Sequence, residues 1–223
     1  MIKGFLFDLD GVIVDTAKYH FLAWKQLADE LEINFTLEDN ELLKGVSRMR
    51  SLDIILELGN KSISEEEKLA LATRKNEWYV AYISKMEADE ILPGAMEFIK
   101  SAKSNNIKIA LGSASKNAQT ILDRLGISPY FDAIVSGNEV SKAKPDPEVF
   151  LKGAELLCLN ANECIVFEDA QAGVEAARNA GMKCVGIGSE DILGEADLII
   201  AGLYALSLET VLKLEKSFKN IEG

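Results

Sequence analysis

Two aspartates one residue apart, Asp8 and Asp10, follow the apolar run Phe5-Leu6-Phe7 and lead into Gly11. Side chains alternate along extended chain, so both carboxylates project to one side while Leu9 faces the other. Gly11 permits a sharp turn that leaves them at the strand's carboxyl end, where open α/β sheets bind ligands. Carboxylates this close repel unless a cation or a shared proton relieves them. An exposed Asp-Gly turn would contain the same residues, so the pair gains meaning only from its company. Gly112-Ser113-Ala114-Ser115-Lys116-Asn117 is small and polar and opens a helical pattern; hydroxyls and N–H groups at a helix start suit an anion. Lys144 precedes Pro145, which keeps it out of helix and extended. Glu168-Asp169 closes another apolar run, with Gly173 shortly after. Acids, hydroxyl, lysine and acids thus stand at four successive predicted strand ends.

These residues need strands that finish side by side. Apolar runs at 5–7, 107–111, 133–135, 165–167, 184–187 and 198–200 read as strands. Helical patterns over 116–125, 148–157 and 172–180, and from about Leu208, alternate with them, with Gly126 and Gly181 as helix stops. Alternation of this kind argues for a parallel sheet covered on both faces. Between the first strand and the rest, only helical periodicity is visible. Ala17, Phe21, Trp24, Ala28 and Leu31 recur at helical intervals, as do Leu69, Ala72, Tyr79, Ile83 and Met86. Thr36 with Asp39 and Ser64 with Glu67 resemble capping boxes; Gly59 is expected to end the helix between them, and Asp15 to cap the first or shape the hinge. Pro93-Gly94 marks the return. The expected fold is therefore α/β: a doubly wound parallel-sheet core, residues 1–14 and 93–223, with an all-helical cap, residues 15–92, inserted after the first strand.

The 223 residues carry a net charge of −12 and are 48% apolar. Such acidity provides no footprint for nucleic acid or an anionic membrane, and no apolar run approaches the length of a membrane span. It also repels phosphorylated molecules at long range, so phosphate chemistry here requires local cations, including a metal. Three cysteines without ligand spacing, and an N-terminus without a cleavage signal, lead us to expect a cytoplasmic, reduced protein.

Asp8-x-Asp10-Gly11, Ser113, Lys144-Pro145 and Glu168-Asp169 resemble, in order, the four motifs of the haloacid-dehalogenase-like (HAD) phosphotransferases, and the helical insertion resembles that superfamily's cap. The resemblance implies a Rossmann-like core and an aspartyl-phosphate enzyme. In it Asp8 attacks phosphorus, and Asp10 is the general acid and base. One Mg²⁺ per subunit sits on Asp8, Glu168, Asp169 and the backbone carbonyl of Asp10. Ser113 and Lys144 hold the transferring phosphoryl group. Thr16, His20 and a cap lysine, Lys75, orient the acid/base aspartate; Trp24 is expected only to pack.

The four motifs define the chemistry and leave the acceptor open. The cap loop Lys44-Gly45-Val46-Ser47-Arg48, with Ser51, and the segment Ser113-Ala114-Ser115-Lys116-Asn117 resemble those of the β-phosphoglucomutases. That resemblance implies a monomer interconverting β-glucose 1-phosphate and β-glucose 6-phosphate through the 1,6-bisphosphate. A second phosphate site would come from Ser115, Lys116, Asn117 and an arginine, Arg48 or Arg50, whose planar fork matches phosphate oxygens. The alternative is a sugar-phosphate phosphatase using water as acceptor. A non-catalytic sensor is a further rival, against which Asp8, Asp10 and Lys144 argue.

Overall fold

The computed structural model of the chain describes residues 1–43 and 46–218, with side chains to 213. The chain divides into two compact units, Met1–Asp15 with Glu87–Gly223, and Thr16–Met86.

The larger unit is built on six parallel strands, β1 (Gly4–Phe7), β2 (Lys108–Gly112), β3 (Ala133–Val135), β4 (Cys164–Glu168), β5 (Lys183–Ile187) and β6 (Leu198–Ile200), in the order β3-β2-β1-β4-β5-β6. This is the doubly wound arrangement, and the order reverses beside β1, where β4 is its other neighbour. Strand β1 is buried on both faces, so its side chains divide between two cores. Phe5 and Phe7 stack with Phe98 and Phe167, at ring centroid distances of 5.7 and 4.5 Å respectively. Leu6 enters the other layer with Ala110, Val166 and Phe150. Burying side chains of this size contributes roughly 1.5–3 kcal/mol each, enough to hold β1 in one register and its following residues at one sheet edge.

The return to this unit falls at Glu87, several residues before the expected 93. The physical reason is local pairing: Ile91 bridges Val14, and the Leu92 N–H donates to the Ile13 carbonyl at 2.9 Å. A helix over Ala95–Ser104, where no element is expected from the sequence, then packs Phe98 onto the aromatic layer. No described helix is long and apolar enough to cross a membrane.

The smaller unit holds α1 (Ala17–Glu30), α2 (Leu37–Glu41), α3 (Arg48–Leu58) and α4 (Glu65–Ile83). After these come α5 (Ala95–Ser104), α6 (Ala118–Arg124), α7 (Glu148–Leu156), α8 (Gln171–Asn179), α9 (Glu190–Leu193) and α10 (Leu208–Phe218) of the larger unit. Both capping boxes form, at Thr36/Asp39 and Ser64/Glu67, each worth about 1 kcal/mol. Trp24, Leu27, Phe35, Leu52, Ile55 and Ala72 make the helical unit's own core. One cap expectation holds and one changes. Gly59 ends α3 with φ −86°, and the left-handed residue is Asn60, φ 49°. Glycine at 59 instead makes room for Ile33, whose Cγ1 would lie 2.5 Å from an added Cβ. Thr16, not Asp15, occupies the N-cap of α1.

Candidate active site

Strands β1 and β4 deliver their last side chains to one point. The carboxylates of Asp8, Glu168 and Asp169 lie within 4.8 Å of one another. The turn after β1 is held by Gly11 N–H to the Val14 carbonyl (2.7 Å) and Ile13 N–H to the Leu9 carbonyl (2.9 Å). Two glycines make space for the acids. A Cβ on Gly11, whose φ is +74°, would meet Asp169 Oδ2 at 2.0 Å; a Cβ on Gly173 would meet Glu168 Cδ at 1.9 Å. A methyl at either position would displace a carboxylate.

Lys144, on the loop after β3, reaches into this cluster. Its Nζ donates to Asp8 Oδ1 at 2.6 Å and to Glu168 Oε1 at 2.5 Å. Its peptide bond to Pro145 is cis. Burial alone would lower the lysine, but Asp8 and Glu168 together override it and hold it above the ordinary lysine range. Asp8 is held well above the ordinary carboxylate range, first by burial; Lys144 opposes this, and Glu168, Asp10 and Asp169 add to it. One ammonium therefore does not neutralise the cluster. An all-oxygen donor set with surplus negative charge, in a space kept open by two glycines, fits a hard divalent cation.

Ser113, buried at the end of β2, accepts from the Ser115 N–H at 3.1 Å, and the Ser115 hydroxyl accepts from the Asn117 N–H at 3.2 Å. The segment thus makes two successive serine turns, and α6 begins at Ala118 instead of the expected 116. Ala114 and Lys116 are exposed, Ser115 and Asn117 half-buried.

In the helical unit, a second cluster forms around His20, the only histidine of the chain. Its Nδ1 lies 3.0 Å from Lys75 Nζ, and its ring stacks on Tyr79 at 4.1 Å. Tyr79 donates to the Thr16 hydroxyl at 3.3 Å. Trp24 packs as expected, and it also offers its ring face to Lys75, 4.4 Å away. Arg48 donates to Asn76 Oδ1 at 2.8 Å. Arg50 is turned to Glu57, 2.7 Å away. Ser47 caps α3 by accepting from the Arg50 N–H, Ser51 is buried and Val46 is exposed. Lys44 and Gly45 lie outside the described residues.

Burial, then Lys75 and Arg48, push His20 well below its usual range, so it is neutral near pH 7. Burial, then Arg48, lowers Lys75 to about 7. A lysine depressed in the fold costs stability wherever the folded form must be charged. That cost is complete below about 7 and disappears as pH rises from there toward 10.5, the unfolded value. Lys75→Met is therefore expected to be stabilising below neutrality, by a pH-dependent difference on the order of a few kcal/mol. The difference should shrink steadily on the alkaline side. Melting curves of both proteins across this range provide the check; a pH-independent difference would contradict the buried, depressed amine.

Residues 2–181 match the family model of haloacid dehalogenase-like hydrolases. The chain belongs to this family. Its relatives within the family include the β-phosphoglucomutase of Bacillus subtilis (strain 168), 44% identical over 210 residues and covering 93% of each chain. The fructose-1-phosphate phosphatase YqaB of Escherichia coli (strain K12) is 32% identical over 185 residues, covering 82% of this chain and 95% of the relative. Among solved structures, the β-phosphoglucomutase (pgmB) from Clostridium difficile superposes with a TM-score of 0.93 at 46% identity, covering 98% of this chain and 99% of that one.

Of the core residues expected from the sequence, Asp8, Glu168, Asp169 and Lys144 come together in space, and with Ser113 they stand at or after the ends of four neighbouring strands. Tyr79 and Asn76 are not among the site residues expected. Both sit on α4: Tyr79 follows Lys75 by four residues, and that spacing is the available signal, whereas Asn76 adjoins Lys75 in sequence and is marked by no such spacing.

Proposed function

We propose that the chain is a β-phosphoglucomutase, interconverting β-D-glucose 1-phosphate and β-D-glucose 6-phosphate through β-D-glucose 1,6-bisphosphate. The observation that carries this reading is identity of 44–46% to β-phosphoglucomutases over 93–98% of the chain, against 32% to a sugar-phosphate phosphatase. Asp8 attacks the phosphorus of the bound sugar phosphate and becomes an aspartyl phosphate, dividing one difficult transfer into two. Asp10 gives a proton to the departing sugar oxygen and takes one from the attacking hydroxyl. Lys144 and Ser113 hold the moving phosphoryl oxygens. Asp8, Glu168, Asp169 and the Asp10 carbonyl would hold one Mg²⁺, which supplies charge neutralisation at the phosphoryl group. The protein works as a cytoplasmic monomer on a small sugar phosphate, with neither nucleic acid nor membrane as partner.

A mutase must also grip the phosphate that is not moving. Arg48 is the better candidate, since Asn76 holds its guanidinium while Glu57 engages Arg50. Ser115, Lys116 and Asn117 supply further donors. With β-glucose 1-phosphate and a trace of bisphosphate, isomerisation should outpace release of inorganic phosphate in the wild type. Arg48→Ala should reduce isomerisation by roughly 10–10²-fold, the size of a lost charge-assisted hydrogen bond, and hydrolysis of a single phosphate much less. Phosphate release faster than isomerisation in the wild type would make the protein a phosphatase. Equal losses in both activities would remove Arg48 from the second phosphate site.

A further inference from the structure

Glu148, the first residue of α7, collects three donors on one carboxylate oxygen: the N–H of Ser141 at 2.9 Å, the N–H of Lys142 at 2.8 Å and the Ser141 hydroxyl at 2.9 Å. Its other oxygen pairs with Lys152 one turn along the helix, at 2.7 Å. Lys152 also donates to the Glu139 carbonyl at 2.5 Å. On the far side of Lys144, Asp146 accepts from the Glu148 N–H at 3.0 Å, and Asn179 at the end of α8 donates to the Pro145 carbonyl at 3.0 Å. The loop bearing Lys144 is thus fastened on both sides to the helices that follow β3 and β4.

An exposed Glu–Lys pair at i,i+4 contributes little by itself. The three bonds to the loop set Glu148 apart, because two of them hold backbone N–H groups only two and three residues before Lys144. Lysine is a point charge on a flexible stem, so its precision depends on where that stem starts. Lys152, then Ser141 and the Lys142 N–H, hold the Glu148 carboxyl down at about 2, and it remains an acceptor throughout the neutral range. Glu139 extends the linkage: it accepts from the Ser136 N–H at 2.6 Å, while neighbouring Asn138 donates to the Lys116 carbonyl at 2.9 Å and the Gly137 N–H to the Ser115 carbonyl at 3.1 Å.

We propose that Glu148, braced by Lys152, is a positioning residue for phosphoryl transfer, fixing the path of residues 141–144 so that the Lys144 ammonium stands at Asp8. This rests on the roles proposed above for Lys144 and Asp8. The test uses acetyl phosphate with Mg²⁺ and follows phosphorylation of Asp8. Glu148→Ala should slow it by up to about 10²-fold, the cost of misplacing a catalytic group by about 1 Å. Glu148→Gln keeps an acceptor oxygen and should recover most of the rate. Glu148→Ala combined with Lys144→Ala should be no slower than Lys144→Ala alone, since one residue acts through the other. Multiplying losses, or a wild-type rate in Glu148→Ala, would overturn the proposal. A second measurement needs no chemistry: amide hydrogen exchange at Ala143 and Lys144 in Glu148→Ala. Faster exchange is expected, and unchanged exchange overturns the positioning whatever the phosphorylation rates. Absence of Asp8 phosphorylation in the wild type, with the exchange result as expected, would instead count against the roles of Asp8 and Lys144.

Discussion

Asp8→Asn is expected to lower turnover by roughly 10⁵–10⁶-fold, the scale on which removal of a nucleophile acts, without loss of fold. Asparagine has nearly the same shape, but its amide does not attack phosphorus. The structural side follows from the crowding around the residue. Asp8 is buried, burial opposes its ionisation, and Glu168, Asp10 and Asp169 add to that opposition. A neutral amide removes one of these repelling charges. Lys144 loses the charge of a partner at 2.6 Å and keeps Glu168 at 2.5 Å, so no buried ammonium is stranded. The melting temperature in metal-free buffer should therefore stay level or rise. Steady-state kinetics and a thermal melt on the same preparation decide the matter. Turnover within tenfold of wild type would place the nucleophile elsewhere, and a collapsed melting temperature would mean that Asp8 is chiefly structural.

Asp10→Asn should slow both half-reactions with sugar phosphates by roughly 10²–10⁴-fold, the usual weight of general acid–base catalysis. The effect should depend on the leaving group. A sugar oxygen needs a proton as it departs, whereas acetate, leaving from acetyl phosphate, does not. Phosphorylation of Asp8 by acetyl phosphate should thus survive the substitution far better than transfer to or from glucose phosphates. The geometry supports a separate role for the second aspartate. It lies in the turn pinned by Gly11 and Val14, half-buried, close enough for its charge to raise Asp8. Equal losses with both donors would mean that Asp10 shapes the cluster and moves no proton.

Much of the architecture could be read from local chemistry. Strand ends were legible because a buried parallel strand is a short apolar run, and an acid or a small polar residue at its end breaks that run visibly. Asp8, Glu168, Asp169 and Lys144 meet in space because all follow strands of one sheet, a consequence of topology. Helix α5 was less visible, although Ala95, Phe98, Ile99 and Ala102 carry its buried face at helical spacing; the preceding Pro93-Gly94 read as a break. The start of α6 shifted because Ser113 and Ser115 fold onto their own backbone, a local competition that composition does not resolve. Tyr79 and Asn76 were hidden for another reason: their partners, Thr16 with His20 and Arg48, are distant in sequence. Arg48 and Arg50 are alike as residue types, and only the positions of Asn76 and Glu57 separate them.

The central claim is that a phosphoryl group passes through Asp8. The most direct measurement mixes the Mg²⁺-loaded protein with radiolabelled glucose 1,6-bisphosphate, quenches it, and maps the labelled peptide by mass spectrometry. Label on Asp8, released by hydroxylamine as an acyl phosphate should be, is the predicted result. Label on Ser113 or another side chain, or none while isomerisation proceeds, would contradict it.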